Sequence, residues 1–232
     1  MIREGLSDAI SLLRAADPAV LDAAFRSVWV STVAVGLASL AGISGGLLLA
    51  RKVIPGRRLI VLVARVGMSV PTVLIGLVCF AMLSRRGPLG SLELLYTNTA
   101  IIIGEFCLAL PIIVTLTHAA ISRMDARIPE SALTLGAAPL QRGITYLNET
   151  RLAIVLAVLT AFSRCFTELG IAMMVGGNLP GRTRTLTTAT ALETSRGEFA
   201  RGIAMCLILL LIALLITAAT AWLNRYAEQE LT

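Results

Sequence analysis

Four charged side chains stand inside long apolar stretches of the sequence and are the first candidates for chemistry: Arg65, Glu105, Arg164 and Glu168. A charge at the centre of a membrane span costs at least about 2.5–3.5 kcal/mol by insertion scales, so each one needs a structural or a functional reason. Arg164 and Glu168 stand at positions i and i+4 and therefore share a helix face. We expect them to form an ion pair, to bridge two copies of the chain, or to line a path through the membrane.

A second candidate site follows the fourth apolar stretch, where glycine, threonine and arginine are concentrated. Paired glycines and Pro180 break a helix and free backbone N–H groups, and irregular backbone at membrane depth is tolerated only beside protein or water. Hydroxyls and arginine charge supply the donors that an oxyanion lacks. The segment is predicted to line an outer gate, or else to cap the bundle and contact a delivery protein. Its candidate residues are Gly176, Gly177, Asn178, Thr183, Arg184, Thr187 and Thr188.

The sequence contains no constellation typical of enzyme or metal chemistry. The four cysteines fall one each in separate apolar runs, without the paired spacing of metal or disulfide frameworks, and His118 is the only histidine. No Ser/His, HExxH or paired-Asp arrangement is present, and no P-loop GxxxxGK[ST]. We therefore predict no catalytic residue, no metal site and no ATP hydrolysis by this chain itself.

The apolar stretches are long enough to cross a membrane. Of the 232 residues, 56% are hydrophobic and only 15% are charged, whereas a soluble domain carries roughly 25% charged residues. A hydrocarbon core needs about 20 apolar residues in a helix, and an open sheet cannot satisfy its edges in lipid. The sequence predicts an all-α polytopic membrane protein with about five spans, roughly at 28–50, 59–83, 99–121, 152–175 and 203–223. Gly42 and Gly46 form a GxxxG step in the first.

The chain divides into an N-terminal segment, 1–26, and a membrane domain, 27–232. Apolar residues at three- and four-residue steps predict a short amphipathic helix on the bilayer surface, with a frayed tail as the alternative. Asp17-Pro18 is typical of an N-cap followed by a first-turn proline. The segment has acids, lacks a basic n-region and precedes a late, long apolar run, so we do not interpret it as a signal peptide.

Basic residues give the orientation. Four of the eight residues at 51–58 are lysine or arginine, which places that loop in the cytoplasm by the positive-inside rule. Five spans then leave the N-terminus outside and the C-terminus inside. Counted over the whole chain, the basic residues outside the spans divide evenly, nine on each side, so the density of this one short loop decides. The net charge of +6 would suggest nucleic acid in a soluble protein, but here it is assigned to arginines at the ends of spans.

The polar segment at about 122–151 is predicted to fold as a compact helix–turn–helix. Pro129 suits the first turn of a helix, where Glu130 meets the positive end of the helix dipole. Gly136 permits a sharp bend, and Pro139 can begin a second helix. Such a knob on a membrane domain suits docking into a groove of a soluble partner. Its small, apolar face is Ala132, Leu133 and Leu135.

The run Glu130-Ser131-Ala132 followed by Gly136 resembles the EAA loop of permease subunits in ATP-binding cassette (ABC) importers. In that family the loop is the cytoplasmic coupling helix, which sits in a cleft of the ATPase. Ser131 replaces the usual second-position Ala and is nearly as small. The sequences LSRRGPLG at 83–90 and AFSRCFTELG…SRGEF at 161–199 are similar to tungstate-type permeases, relatives of the molybdate and sulfate permeases. The coupling residues thus implied are Pro129, Glu130, Ser131, Ala132, Leu135 and Gly136.

The resemblance covers nearly the whole chain from about residue 27. It implies the type I importer fold and a homodimer in the lipid of a prokaryotic cytoplasmic (inner) membrane. The implied partners are a cytoplasmic ABC ATPase dimer and an extracytoplasmic substrate-binding protein. No nucleic acid is expected among them. The chain would bind no cofactor, and the ATPase would use ATP and Mg. The implied activity is import of an oxyanion, most closely tungstate, by alternating access, with the anion-contacting residues among the in-span charges and the segment at 176–188.

Two alternatives remain open. One is a molybdate or sulfate permease of the same architecture. The other is a gradient-driven transporter or channel that uses the four in-span charges for coupling, although it leaves the coupling motif unexplained.

The sequence departs from the tungstate-type pattern at several positions. The pattern has Asn, Gly, Pro and Gln where this chain has Arg65, Ser69, Thr72 and Glu105. A direct contact between Arg65 and Glu105 is not expected, because the two residues lie at different depths in the membrane. At about 1.5 Å per residue along a helix, their heights differ by roughly 11 Å. The arginine on the pathway would then hold an anion, or serve as a structural counter-ion.

Overall fold

The computed structural model describes residues 10–11, 17–50 and 54–229, with side chains up to residue 223 in the last helix. Nine helices are defined in these ranges, joined by single turns at Gly90–Leu92 and Ala172–Gly176 and by loops, with no strand among the described residues. The predicted all-α class is confirmed. The helices are α1 (Pro18–Ala50), α2 (Arg57–Gly67), α3 (Thr72–Leu83), α4 (Asn98–Ser122), α5 (Arg127–Thr134), α6 (Pro139–Glu149), α7 (Arg151–Phe166), α8 (Leu186–Ser195) and α9 (Phe199–Gln229).

Three of these helices are long and apolar enough to cross a membrane: α1, α4 and the Phe199–Leu223 part of α9. They confirm the first, third and fifth predicted spans. Two bent pairs bring the number of possible crossings to five, with α2 and α3 meeting at 101° and α6 and α7 at 69°. The predicted second span is therefore an interrupted helix, whereas the bend between α6 and α7 lies just before the predicted fourth span.

The second span is interrupted at residues 68–71, so the prediction of one helix over 59–83 is wrong. Pro71 explains the break, because proline lacks an N–H and disfavours helical geometry in the residue before it. The N–H groups of Met68 and Ser69 donate back to Arg65 and Val66, which ends α2 as a turn. Helix α3 then begins directly after the proline.

The fourth span also ends earlier than predicted. Helix α7 stops at Phe166, three residues adopt a non-helical path, and the chain resumes one helical turn at residues 170–176. The predicted break at the paired glycines exists as well, because Gly177 has φ 69 and ends that turn. Its left-handed geometry suits glycine. The prediction therefore located the second interruption and missed the first.

Helix α4 is the centre of the molecule, packed between α1 and α7. A Cβ added to Gly42 would lie 2.8 Å from Ile113, and one added to Gly46 would lie 2.7 Å from Thr117. The GxxxG step of α1 therefore lets the two backbones approach closely. Helix α4 is thus held tightly against α1, and the interrupted spans pack on α4.

The N-terminal predictions are only partly covered by the structure. Most of the amphipathic segment at 1–16 lies outside the described residues, as does the first part of the basic loop at 51–53. Asp17 is confirmed as the cap of α1, since its Oδ1 accepts the N–H of Ala19 at 2.8 Å. Residues 18–26 continue into the first span without a break.

Candidate functional site

The interruption of the fourth span is organised around Glu168. Its Oε2 accepts a hydrogen bond from Nη1 of Arg164 at 2.8 Å. Its Oε1 accepts the N–H groups of Gly170 at 2.8 Å and Ile171 at 3.3 Å. The predicted ion pair is thus confirmed within one chain, and the buried carboxylate also caps the following helical turn. Arg164 itself stays 44% exposed.

The helical turn at 170–176 is wedged between α3 and α4, and two glycines make room for it. A Cβ on Gly104 would overlap Cγ2 of Ile171, and one on Gly76 would lie 3.3 Å from Cα of Ile171. A Cβ on Gly170 would come within 3.4 Å of Val73, near the start of α3. The interruptions of the second and fourth spans therefore lie side by side. Irregular backbone from two separate spans is therefore collected in one region of the bundle.

The predicted gate segment follows this turn, and its side chains are engaged with one another. Thr183 donates to the carbonyl of Gly176 at 2.6 Å and accepts the N–H of Leu179 at 3.0 Å. Asn178 lies between them with φ 51, and its buried Oδ1 has no hydrogen-bond partner among the described residues. These bonds close residues 176–183 into a compact loop.

The remaining predicted hydroxyls also have internal partners. Thr187 donates to the carbonyl of Glu168 at 2.9 Å and so ties the start of α8 to the interruption. The Oγ1 of Thr188 accepts the N–H of Thr185 at 2.9 Å, and Oγ1 of Thr185 accepts the N–H of Thr188 at 3.4 Å. The structure therefore shows these threonines holding the segment together, and a role in gating stays a prediction.

Arg184 is paired rather than open to a ligand. Its Nη1 lies 3.9 Å from a carboxylate oxygen of buried Glu193, which Arg196 approaches at the same distance. The segment is also fastened to α1, because Arg26 donates to the carbonyl of Arg182 and the hydroxyl of Ser27 accepts the N–H of Leu186 at 2.7 Å. This geometry fits the alternative in which the segment caps one end of the bundle.

Glu105 and Arg65 are not brought together. Glu105 is 3% exposed on α4, with Ser31 as its polar side-chain neighbour and an Oε2 that has no hydrogen-bond partner in the described ranges. Arg65 is exposed in the last turn of α2, and no ion pair between the two is found among the described residues. The depth argument against their contact therefore agrees with the structure.

The helix start at Arg57 forms a contact that the sequence did not predict. Its guanidinium donates to the carbonyl of Leu49 and lies 3.0 Å from Nε2 of His118. The bond joins the ends of α1, α2 and α4. His118, the only histidine of the sequence, is therefore a polar contact at that junction. The position of Arg57 beside the short loop between the first two spans was the only sign of this contact in the sequence.

Helices α5 and α6 confirm the predicted helix–turn–helix. Gly136 has φ 71 at the bend, and α6 begins at Pro139. The side chain of Gln141 accepts the N–H of Ala138 at 2.8 Å and closes the start of α6. A cleft of about 850 Å³ separates α5 from the ends of α1 and α4. The pair thus projects from the bundle as a separate knob.

The outward face of this knob differs in two residues from the predicted face. Ala132 is buried against the molecule, so its assignment to the docking face is wrong. Leu135 is 85% exposed, as expected, whereas Leu133 is exposed but lines the cleft toward the bundle. Leu140 of α6 is exposed too, and the sequence analysis missed it because it lies beyond the bend. Glu130 and Ser131 are exposed, and Pro129 is half-buried against the cleft. We call the outward-facing pair of Leu135 and Leu140 the leucine knob.

Apolar helices long enough to cross a membrane, together with two bent helix pairs, are typical of membrane transport proteins. The chain belongs to the family described as "binding-protein-dependent transport system inner membrane component", whose model matches residues 42–231. It is therefore an inner-membrane permease of ABC importers. The predicted family and membrane location are confirmed.

Relatives and a solved structure agree with this assignment. The tungstate uptake system permease protein TupB of Campylobacter jejuni is 39% identical over 97% of this chain and 94% of its own length. TupB of Peptoclostridium acidaminophilum is 40% identical over 94% of this chain and 95% of its own. Molybdenum and sulfate permeases match more distantly. The inward-facing MetNI methionine ABC transporter superposes with a TM-score of 0.71 at 18% identity, covering 87% of this chain and 93% of its own, and shows the type I fold.

Proposed function

We propose that this chain is the membrane half of an ATP-driven importer whose cargo is tungstate. The observation that carries the proposal is its similarity, at about 40% identity over nearly the whole length, to two tungstate permeases. The chemistry of the chain fits an anion, because both in-span arginines, Arg65 and Arg164, are exposed while both in-span glutamates are buried.

The proposed assembly is a homodimer on a dimer of a separate ATPase. Each leucine knob docks in a groove of one ATPase subunit, where ATP and Mg are used. Leucine side chains of this exposure are unfavourable in water and contribute roughly 1.5–3 kcal/mol each when a partner buries them fully. Closing of the ATPase would move α5 and α6, and the 69° bend to α7 passes that movement to the interrupted span.

In the proposed cycle, a loaded extracytoplasmic binding protein docks on the outer face. ATP binding then opens the dimer outward, and the anion enters a path shared by the two copies. Hydrolysis returns the dimer to the inward-facing state. The segment at 177–198, which covers one end of the bundle, is the proposed contact with the binding protein. Gly176, Gly177 and Asn178 are the proposed hinge that lets this segment follow the movement of the helical turn at 170–176.

The substrate is tested by titrating the cognate binding protein with tungstate, molybdate and sulfate. We expect tungstate to bind most tightly. Tight sulfate binding with no response to tungstate would overturn the choice of substrate and leave the permease assignment in place.

The energy source is tested by uptake in cells that express the permease, the ATPase and the binding protein. We expect uptake to disappear when the ATPase is deleted and to persist after an uncoupler dissipates the proton gradient under conditions that preserve ATP. The opposite pattern would favour a gradient-driven transporter.

A further inference from the structure

A polar groove of about 350 Å³ lies between α7 and α9, although both helices come from apolar stretches of the sequence. Its volume falls within the range of roughly 300–1,000 Å³ that is typical of small-ligand sites. Two aliphatic side chains complete its lining. The polar lining consists of Thr160, Ser163, Arg164, Thr167, Thr217 and Thr220.

The groove is not suited to face lipid. Arg164 lies near the end of α7, about 20 Å along the helix from its first residue, in a core about 30 Å thick. Its ion pair with Glu168 holds the guanidinium at that depth, while the side chain is 44% exposed. An exposed, fixed charge is strongly unfavourable in hydrocarbon and is found beside water or protein. The groove therefore faces a hydrated path or a second copy of the chain.

Its hydrogen-bond donors can be turned toward a ligand at little cost. The hydroxyl of Thr160 donates to the carbonyl of Leu156 at 2.7 Å, and that of Thr217 donates to Ala213 at 2.8 Å. Both carbonyls already accept a backbone N–H in their helix, so a rotation of the hydroxyl leaves no unpaired group. Arg164 adds the remaining N–H groups of its guanidinium, since Glu168 occupies one side of it.

The lining selects for anions. No acidic residue lines the groove in the described part of the chain. The fork of an arginine matches the oxygens of an oxyanion, and hydroxyl donors complete the shell. The buried carboxylate of Glu168 compensates part of the arginine charge, which keeps binding weak. A station on a transport path needs such weak binding, because the ion must leave as well as enter.

We propose that this groove is a transient oxyanion-binding station on the translocation path. Arg164 supplies the charge, and Thr160, Ser163 and Thr217 supply donors that no sequence motif indicated. The inference rests on the proposed function as an oxyanion importer and adds to it a defined substrate site. In the proposed homodimer, the groove of the second copy would enclose the path from the other side.

The test compares two double variants of equal composition. The groove variant is Thr160→Val with Ser163→Ala. The control is Thr32→Val with Ser44→Ala, because these hydroxyls lie on an exposed face of α1 outside the groove and also bond to their own helix. Initial rates of tungstate uptake are measured in proteoliposomes with the ATPase and the binding protein, and assembly is checked by co-purification of the ATPase.

We expect the groove variant to lower uptake at least about tenfold and the control to match the unmodified chain, because hydrogen bonds to a charged ligand are among the stronger ones. Thr217→Val, on the other helix, is expected to lower uptake in the same way and keeps the test valid if the double variant does not assemble. Equal uptake in groove and control variants would overturn the station while leaving the importer assignment intact. If the unmodified chain takes up molybdate instead, molybdate becomes the probe. Absence of uptake of any of the three oxyanions would overturn the proposed function, and the station with it.

Discussion

The leucine knob offers the sharpest perturbation of the proposed coupling mechanism. Leu135 is 85% exposed, and Leu135→Ala removes three carbons from a surface that this chain leaves uncovered. At about 0.8 kcal/mol per buried CH₂, loss of docking contacts would cost up to roughly 2.4 kcal/mol per ATPase subunit. That corresponds to affinity weaker by as much as about fiftyfold. Stability of the permease should change little, since surface substitutions usually stay within about 0.5 kcal/mol.

The assay is the affinity of the purified permease for its ATPase subunit, together with the thermal stability of the permease alone. Leu92→Ala is the matched control, because Leu92 is also exposed but lies in the loop before α4, at the opposite end of that helix from the knob. We expect Leu135→Ala to weaken ATPase binding and uptake, and Leu92→Ala to leave ATPase binding unchanged. Equal ATPase affinity in the two variants would refute docking through the knob.

Three further predictions concern packing and charge. Gly104→Ala should destabilise the permease by about 1–3 kcal/mol, because the new methyl overlaps Ile171, whereas Gly36→Ala, with nothing within 4 Å, should be neutral or slightly stabilising. Thermal unfolding in detergent measures the stability of both variants. Equal melting temperatures for Gly104→Ala and Gly36→Ala would contradict the close packing of Ile171 against Gly104. Glu168→Gln should lower stability by about 1–3 kcal/mol, since the buried carboxylate loses the charge that strengthens its hydrogen bonds while its partner Arg164 is 44% exposed, and an unchanged melting temperature would contradict its anchoring role. Arg65→Asn should fold and still transport, because its side chain is exposed and has no ion-pair partner in the described residues. Loss of folding, seen by size-exclusion chromatography, would favour a structural counter-ion.

Local sequence rules predicted much of this structure. Apolar length located the three continuous spans, and proline and glycine positions located the helix–turn–helix of α5 and α6 and its bend. The i,i+4 spacing predicted the pair of Arg164 and Glu168. Each of these features depends on residues within a few positions of one another, where helix geometry alone determines which side chains meet.

Features that depend on distant segments were not predictable in the same way. Hydropathy cannot distinguish a continuous span from one interrupted at 167–169, because apolar residues flank the interruption on both sides. The fit of Ile171 against Gly104 and the groove shared by Thr160 and Thr217 arise only when separate helices pack. Ala132 belonged to the right motif but to the inner face, since helical phase and not motif membership determines exposure.

The central claim is that this chain moves an oxyanion at the expense of ATP used by another subunit. The most direct measurement is uptake of tungstate by proteoliposomes that contain the permease and its ATPase, with binding protein on the outer side and ATP available to the ATPase. We expect accumulation that requires both ATP and the binding protein and stops when the P-loop lysine of the ATPase is replaced. Equal uptake without ATP, or with the inactive ATPase, would contradict the account.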